Sequence, residues 1–407
     1  MRILLLNQYY YPDVAATAQL ATDLAEHLVQ RGHEVTVVTS TRAYAGSDPE
    51  AHRPRRQHHR GVRIVRVPST AFGRGTNLGR SVDYATFLSG ALAQLFAGAR
   101  PDVVVALSTP PLVAALGLLA QRLRGARLVY WVMDVYPDVA VKLGVLRADG
   151  VSTHALRRIS NAVLAKADAV VALDEAMRER LVAAGGPRSR IEVIDNWSDG
   201  AAIRPTPSES NHLRRALGIE RTFTVSYSGN MGMGHDFPTL LGAMKLLRDE
   251  PVHWLFIGDG PRRAPLESAV RRNDLRRVSF LPYRQRSELG TSLTAADASL
   301  VSVAAGLAGM MVPSKLYGIL AAGMPVLYVG PAEGRVADVI AKDGVGIAIE
   351  NGDSVALAGA IRRLRDEPPL REQMGRRARR LFETRFDRPV ALERHHQLLC
   401  RVGGVPC

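Results

Sequence analysis

Cysteine is nearly absent from this chain, since its 407 residues contain only two. Two cysteines exclude the disulfide framework of a small secreted domain, and their scarcity fits a reducing, cytoplasmic environment. Long apolar runs are also lacking. The most apolar stretch, residues 103–120, is interrupted by Ser108, Thr109 and two prolines, so it predicts a buried strand, a turn and a helix rather than a membrane span. The apolar run at the N-terminus turns polar at Asn7 and is too short for a signal peptide.

Acidic residues are outnumbered, with 39 Asp and Glu against 53 Lys and Arg, which gives a formal net charge of +14. A basic excess suggests an anionic partner: a nucleic acid, a phosphorylated small molecule or an anionic membrane face. The arginines are spread along the chain and no recognition motif interleaves aromatic residues with them, which disfavours a nucleic-acid-binding module. An arginine-rich coding preference is the alternative explanation of the charge.

Short apolar runs alternate with amphipathic helical segments along most of the chain. This βαβ alternation predicts parallel sheets covered by helices on both faces. The pattern stops at a proline-containing polar stretch and then restarts, so we predict two doubly wound domains. The predicted bounds are residues 1–197 for the first domain, 198–210 for a linker, 211–375 for the second domain and 376–407 for a helical tail that packs back on the first domain.

Glycines follow two strands of the second domain. The first strand ends in "SYSGNMGMGHDF", which contains Gly229, and the next ends in "GDGP", residues 258–261. Ligands of open parallel sheets bind at the carboxyl ends of strands, and glycine lets backbone N–H groups approach an anion closely. Short strand-to-helix turns also need glycine for purely structural reasons.

A third candidate lies in "VPSKLYGILAAGMPVL", residues 312–327. Pro313 suits a first helical turn, while Gly323 and Pro325 end the helix. Ser314 and Lys315 stand at the helix start, where a lysine opposes the helix dipole and therefore needs a reason. A bound phosphate would supply one. The structural alternative is that Ser314 caps the helix and Lys315 is a solvated charge.

The whole set of motifs resembles the retaining glycosyltransferases of family 4. The strongest pieces are "HEVTVVTS" (33–40), "MDVYPDVAVKLGVL" (133–146), "IDNWSD" (194–199), "YSGNMG" (227–232), "FIGDGP" (256–261) and "PSKLYGILAAGMPVL" (313–327). Within the family the chain looks most like bacterial enzymes of exopolysaccharide and O-antigen assembly, of the N-acetyl-L-fucosamine transferase type. The resemblance implies the GT-B fold: two Rossmann-like domains facing across a cleft, with a helical tail.

The resemblance also implies a nucleotide-diphosphate sugar as donor, bound mainly by the second domain. It places Gly229, Asn230 and His235 near the diphosphate and the sugar. Gly258, Asp259 and Gly260 would lie near the base and the ribose. Ser314 and Lys315 would contact the phosphates. Most family members carry glutamates at the positions of Met310 and Gly318, the latter usually holding the ribose, and an arginine and a lysine at the positions of Asn230 and His235.

Cleavage of a sugar–phosphate bond requires cations and N–H donors fixed on the leaving diphosphate. Lys315, His235 and Asp134 are our predicted catalytic residues, and Asp13 and Asp138 are candidates on the acceptor side. Each of these aspartates has the alternative role of a helix cap. Because no DxD-type metal motif stands at a strand end, we predict a reaction without metal or other cofactor. The resemblance implies retention of configuration, with the acceptor hydroxyl attacking from the leaving-group face.

The segment "HRPRRQHHRGVRIVR" (52–66) holds six arginines and precedes an aromatic-rich amphipathic stretch, residues 72–98. Such a pair can lie on an anionic lipid surface, which suits a peripheral membrane protein with a polyprenyl-diphosphate-linked acceptor. An exposed loop followed by a core helix is the structural alternative. A transferase acting on a soluble metabolite, a nucleotide-sugar 2-epimerase and a non-catalytic homologue remain alternative functions. The sequence leaves the donor base, the sugar and the oligomeric state open.

Overall fold

The protein was analysed as a computed structural model that describes residues 1–44, 47, 51–73, 77–207 and 210–407. The chain forms two compact units. The first unit comprises Met1–Asp195, Gly309–Met311 and Leu392–Cys407, and the second comprises Asn196–Ala308 and Val312–Ala391. The described part of the predicted linker, residues 198–207, falls in the second unit, and residues 208 and 209 lie outside the described residues.

The first unit is built on an eight-stranded sheet. Its strands are β1 (Arg2–Leu6), β2 (Glu34–Ser40), β3 (Arg56–His59), β4 (Val62–Val67), β5 (Val103–Ala106), β6 (Arg127–Trp131), β7 (Ala169–Ala172) and β8 (Ile191–Val193). They lie in the order β3-β4-β2-β1-β5-β6-β7-β8, and all neighbours pair in parallel except β3 with β4. The helices of this part of the chain are α1 (Ala16–Gln30), α2 (Asn77–Ala97), α3 (Val113–Arg124), α4 (Asp138–Lys142), α5 (Val151–Lys166) and α6 (Glu175–Ala183).

The second unit is built on a six-stranded, fully parallel sheet in the order β11-β10-β9-β12-β13-β14. Its strands are β9 (Phe223–Ser228), β10 (Val252–Ile257), β11 (Val278–Leu281), β12 (Ala298–Ser302), β13 (Val326–Val329) and β14 (Gly346–Ile349). Its helices are α7 (His212–Leu217), α8 (Pro238–Leu246), α9 (Arg263–Arg272), α10 (Leu289–Leu293), α11 (Lys315–Ala321), α12 (Arg335–Asp343), α13 (Ser354–Asp366) and α14 (Pro368–Leu381).

After α14 the tail continues through a π-helical turn, Phe382–Phe386, into α15 (Arg388–Gly403). The residues of α15 from Leu392 onward belong to the first unit. Among the described residues, no helix combines the length and the apolar content that crossing a bilayer requires.

Continuous apolar runs explain the strands, because a parallel strand is covered by helices on both faces. All six residues of β10 are buried, and β5, β7 and β13 are buried along their whole length. Polar caps begin some of the helices. Asp174 accepts a hydrogen bond from the backbone N–H of Met177 at the start of α6, and Asn211 serves α7 in the same way.

The strand orders locate the ligand-binding ends of the two sheets. Each order reverses at one place, between β1 and β5 in the first sheet and between β9 and β12 in the second. Ligands of doubly wound sheets bind beyond the carboxyl ends of the strands at such a reversal. The loops expected to bind ligands are therefore those that follow β1 and β5 in the first sheet and those that follow β9 and β12 in the second.

Two strands differ from the sequence prediction. The basic segment contains β3, an antiparallel edge strand of sequence RQHH, and β14 adds a further strand to the edge of the second sheet. β3 is polar and only partly buried, so it lacks the apolar run that identifies a central strand, whereas β14 is a short apolar run, GIAI, whose glycine and partial burial weaken the strand pattern.

Candidate functional site

Lys315 is held at the strand reversal of the second sheet. Its ammonium donates to the carbonyl oxygen of Asn230 at 3.1 Å and to Nε2 of His235 at 3.2 Å. Nζ also lies 4.9 Å from the centroid of the Tyr227 ring, a cation–π distance. Gly229 leaves room for this side chain, because a Cβ at residue 229 would lie 3.1 Å from Cε of Lys315. The lysine at the start of α11 is therefore fixed in a defined position rather than freely solvated.

The imidazole of His235 is neutral and positions the ammonium of Lys315. Its Nδ1 lies 2.6 Å from the carbonyl oxygen of Ser302, so Nδ1 carries the proton and the Nε2 lone pair faces Lys315. Burial, with a smaller contribution from the charge of Lys315, lowers the pKa of His235 to about 3. The hydroxyl of Tyr227 donates to the same Asn230 oxygen at 2.9 Å, and burial raises the pKa of Tyr227 well above its usual value. The groups around the ammonium are thus uncharged.

Loss of solvent around the half-buried Lys315 side chain lowers its pKa to about 7. In the part of the chain that the structure describes, no carboxylate pairs with this ammonium. An anion bound beside it would supply the missing countercharge and raise its pKa again. The arrangement is therefore that of an anion-binding site whose cation is most strongly charged when the anion is present.

The glycine loops are shaped by packing against each other. Gly258 has a φ of +126°, and a Cβ there would clash with the carbonyl oxygen of Gly229. Gly260 has a φ of +141°, and a Cβ there would lie 2.5 Å from Oδ1 of Asn230. Asp259 is exposed; its carbonyl accepts from the N–H of Met231 at 2.7 Å, and its carboxylate accepts from the N–H of Gly260 at the same distance. Contact between two backbones explains these glycines without a ligand, and their place at the base and ribose stays a prediction.

Ser314 and Gly318 flank Lys315 on α11. Ser314 has helical backbone angles and makes no capping hydrogen bond, so the alternative that it caps this helix is wrong. A Cβ at Gly318 would lie 3.1 Å from Cδ1 of Leu293 on α10. A side chain at residue 318, a glutamate included, would require Leu293 to shift by a few tenths of an ångström, which glycine avoids.

Asp134 lies beyond β6 in the first unit, next to the loop that follows β5. The hydroxyl oxygen of Ser108 accepts from the backbone N–H groups of Met133 at 3.0 Å and Asp134 at 3.1 Å, which joins these two loops. Asp134 also forms an antiparallel bridge with Met311, and Val135 N–H donates to the Met310 carbonyl at 2.9 Å. Met310 is thus held through its backbone.

Burial raises the pKa of the Asp134 carboxyl to about 6. The charge of Asp134 also affects three tyrosines: burial raises the pKa values of Tyr44, Tyr130 and Tyr136, and the negative charge of Asp134 raises them further. Within the ranges described above, no basic side chain pairs with this carboxylate. A desolvated carboxylate without a cation is suited to interact with positive charge that develops during a reaction.

Asp13 and Asp138 both have basic partners. The buried Asp13 carboxylate accepts from Arg53 at 3.2 Å and from the N–H of Tyr44 at 3.1 Å. Asp138 accepts from Arg157 at 2.8 Å. Neither aspartate caps a helix, since the cap positions of α1 and α4 are the residues Ala15 and Pro137, so the capping alternative is wrong for both. Their acceptor-side roles stay predictions.

Two family models match the chain in tandem, the glycosyl transferase 4-like domain over residues 16–197 and glycosyl transferases group 1 over residues 209–381. The chain belongs to the family 4 glycosyltransferases. The Escherichia coli K12 protein WcaI, whose name assigns it to colanic acid biosynthesis, is 26% identical over 374 residues, which cover 89% of this chain and 91% of WcaI.

One further relative and one solved structure match over most of the chain. A GDP-mannose-dependent alpha-mannosyltransferase of Mycobacterium tuberculosis is 27% identical over 358 residues, covering 87% of this chain and 85% of that protein. The crystal structure of Anabaena HepE in complex with UDP-glucose superposes with a TM-score of 0.75 at 18% identity, covering 98% of this chain and 100% of HepE. The superposition confirms the predicted GT-B fold of this glycosyltransferase.

Of the predicted donor-site residues, the structure brings Gly229, Asn230 and His235 into contact with Lys315 within one unit. Tyr227 and Ser302, which complete the surroundings of Lys315 and His235, were not predicted as site residues from the sequence. Both residues are the last or near-last positions of strands at the reversal. That location is the signal that could have identified them once the strand order was known.

Proposed function

We propose that this glycosyltransferase moves a sugar from a nucleotide-diphosphate sugar to a hydroxyl group, with retention of configuration and without a metal ion. The observation that carries the proposal is the ammonium of Lys315 at the strand reversal of the second unit, which is fixed by Asn230 and His235 and, among the described residues, has no carboxylate partner. The comparisons support a nucleotide sugar as donor, since one relative is named GDP-mannose-dependent and HepE was crystallised with UDP-glucose.

The chemistry assigns each group a task. The bond between the anomeric carbon and the diphosphate oxygen breaks, a bond to the acceptor oxygen forms on the same face, and the acceptor proton passes to the departing diphosphate. Lys315 neutralises the charge that develops on the diphosphate, which is the largest electrostatic change in such a step. His235 positions Lys315, and we assign Asp134 to the acceptor or to the positive charge that develops on the sugar ring.

The donor is tested by thermal unfolding of the purified protein with a panel of UDP-, GDP-, dTDP- and ADP-sugars, each with and without EDTA. We expect one nucleotide class to raise the unfolding temperature equally under both conditions. Lys315→Met removes the ammonium and should weaken donor binding by about 10- to 100-fold, since a hydrogen bond to a charged group contributes about 1.5–3 kcal/mol. The matched control is Lys342→Met, which removes a largely exposed lysine of the same unit.

Transfer and hydrolysis are then measured with the donor identified in this way. Labelled sugar on an added acceptor, or free sugar released slowly by water, supports the transferase. Interconversion of two nucleotide sugars without sugar release would indicate a 2-epimerase instead. Absence of binding by every nucleotide sugar would indicate a non-catalytic homologue.

For the acceptor we propose a polyprenyl-diphosphate-linked saccharide met at the surface of an anionic membrane during polysaccharide assembly. The name of WcaI supports this class of pathway. The structure adds large exposed apolar side chains on and just before α2, namely Phe72, Leu78, Val82 and Phe96, with exposed fractions of 70%, 77%, 38% and 50%. Arg55, Arg56 and Arg63 of the basic segment are also exposed, whereas Arg66 is buried and donates to Tyr11, Pro54 and Gln57.

Sedimentation with lipid vesicles tests whether the protein binds the membrane surface at which such an acceptor would be met. The protein should bind vesicles that contain an anionic phospholipid, and the Leu78→Ser/Phe96→Ser double variant should bind less. Val151→Ser is the matched control, because Val151 is 89% exposed in the same unit but lies on α5. Equal vesicle binding by all three proteins would favour the alternative, a transferase acting on a soluble small molecule.

A further inference from the structure

A cluster of histidine and cysteine side chains lies in the first unit, in contact with none of the donor-site residues named above. His33 stands between α1 and β2, and His396 and Cys400 lie one turn apart on α15. The Nε2 atoms of the two histidines are 3.0 Å apart, and Cys400 Sγ is 3.4 Å from Nε2 of His396. The three ligand atoms all lie within 4.8 Å of one another.

These separations are close to those of a zinc site. Zn–N and Zn–S bonds of about 2.0 and 2.3 Å in a tetrahedron put two nitrogens about 3.3 Å apart and nitrogen and sulfur about 3.5 Å apart. Cys407 lies next to this group, with its Sγ 4.0 Å from the carbonyl oxygen of His396, but outside the set of mutually close ligand atoms, so its side chain would have to move to become a fourth ligand. Two imidazoles and two thiols form a donor set that zinc commonly takes in structural sites.

The orientation of His396 also suits a metal. For Nε2 to bind a metal ion, the proton must reside on Nδ1, and Nδ1 points toward the Glu393 carboxylate at 3.8 Å. In the described structure this buried Nδ1 has no hydrogen-bond partner, although His396 is only 4% exposed. A carboxylate behind a metal-binding histidine is the usual outer-shell arrangement. Glu393 is held in turn by Arg31 at 2.5 Å.

An ordinary core offers no equally good account of this cluster. Cys400 is 1% exposed, and its thiol and Nε2 of His33 both lie within hydrogen-bond distance of a single imidazole nitrogen, Nε2 of His396. Buried polar groups are normally hydrogen-bonded. The tautomer of His396 in which Nε2 accepts hydrogen bonds carries its proton on Nδ1, and this Nδ1 has no hydrogen-bond partner. A metal ion at the centre would bond directly to all three ligand atoms.

We propose that His33, His396 and Cys400 bind a zinc ion, with Cys407 as the fourth ligand and Glu393 orienting His396. The ion would join α15 to the connection between α1 and β2, linking residues that are 363 positions apart in sequence. Because closing so long a loop is entropically costly, a metal cross-link here stabilises the fold of the first unit. This site is structural and is separate from the metal-free transfer reaction proposed above.

The test uses the tag-free chain, stripped with a chelator and desalted. Zinc affinity and stoichiometry are measured by competition with a chromophoric chelator, and Co²⁺ is added in a parallel sample as a spectroscopic probe. We expect one metal ion per chain, a thiolate-to-cobalt charge-transfer band, visible bands of tetrahedral intensity and a higher unfolding temperature with zinc.

Single substitutions identify the ligands. His33→Gln and Cys400→Ser should each weaken zinc binding by more than about 10-fold, the smallest loss seen even for outer-shell partners. His33 is half-buried, so His33→Gln keeps the test valid if Cys400→Ser fails to fold. The matched control is His154→Gln, which removes an exposed histidine of α5 in the same unit and should bind zinc normally.

Equal zinc affinity in the wild type, His33→Gln and Cys400→Ser, or a cobalt spectrum without the charge-transfer band, would overturn the site. An unchanged zinc affinity of the Cys407→Ser protein would show that Cys407 is not the fourth ligand. Lys315→Met should bind zinc like the wild type, so a failure of the donor proposal leaves this result unaffected.

Discussion

Donor binding should weaken as the pH rises through neutrality, because the ammonium that meets the diphosphate has a pKa of about 7 in the free protein. Below that pH Lys315 is already charged and the affinity is flat. Above it each binding event must first protonate the amine, so the dissociation constant rises until the pH reaches the higher pKa of the complex. For a free-state pKa of about 7, the affinity falls by about 25-fold between about pH 6.5 and 8.5.

Isothermal titration calorimetry measures both the affinity and the protons taken up. A nucleotide sugar is the right ligand, because both of its phosphates stay singly ionised over this range. In two buffers of different ionisation enthalpy, binding at about pH 8 should take up about 0.9 proton per donor molecule. Lys315→Arg is the decisive variant, since a guanidinium stays charged and should abolish the pH dependence.

A flat affinity across this range in the wild-type protein, with no proton uptake, would refute the reasoning. It would mean either that Lys315 is not desolvated or that it does not meet the donor. The Lys315→Met protein separates these cases. Weak and pH-independent binding in that variant is expected, whereas unchanged binding would remove Lys315 from the donor site.

The remaining predictions concern stability. Burial raises the pKa of Asp134 from 3.8 to about 6, so the native state binds this proton more tightly and stability is lost as the pH rises through that interval. Asp134→Asn should therefore raise the unfolding free energy by about 2 kcal/mol at pH 7, raise it little at pH 4 and lower transfer activity, as chemical denaturation and transfer assays would show. Gly258→Ala should weaken donor binding and lower stability, because the added Cβ clashes with the carbonyl oxygen of Gly229. Gly352→Ala is the matched control: residue 352 also has a positive φ, but a Cβ there has nothing within 4 Å, so only the backbone strain of about 1–2 kcal/mol should appear. Arg53→Met removes the cation that hydrogen-bonds to the buried Asp13 carboxylate, although the charge of Arg66 still acts on that carboxylate. The substitution should cost up to about 3 kcal/mol in urea unfolding, and a loss below about 1 kcal/mol would show that Arg66 or water replaces Arg53.

Most of the fold could be predicted because central parallel strands are buried on both faces. Runs such as residues 103–106 and 252–257 consist of apolar or aromatic residues almost throughout, and their alternation with helices fixes the parallel connections. The strands that escaped prediction are the edge strands β3 and β14. β3 is polar and only partly buried, so no hydrophobic pattern reveals it, whereas β14 is a short apolar run that begins with a glycine and is a weak strand signal; pairing with a neighbouring strand forms both.

The candidate donor site was predicted as a set of separate loops. Lys315 drew attention because a cation opposes the dipole at a helix start, and Gly229 because it follows a strand. The family resemblance placed Asn230 and His235 near the same diphosphate, but their direct contacts with the lysine could not be predicted, since Asn230 is 85 positions away in sequence and the contact is made to its backbone carbonyl.

By itself, then, the sequence determined the doubly wound class, the family and the loops that carry the donor-site residues, because these follow from local patterns of apolar residues, glycine and charge. Only the tertiary structure decided which groups meet. It gave His235 a carbonyl partner and a neutral ring, surrounded Asp134 with phenols, and gathered His33, His396 and Cys400 around one point. Protonation and metal affinity depend on desolvation and on distances of a few ångströms, which arise only when distant segments of the chain pack together.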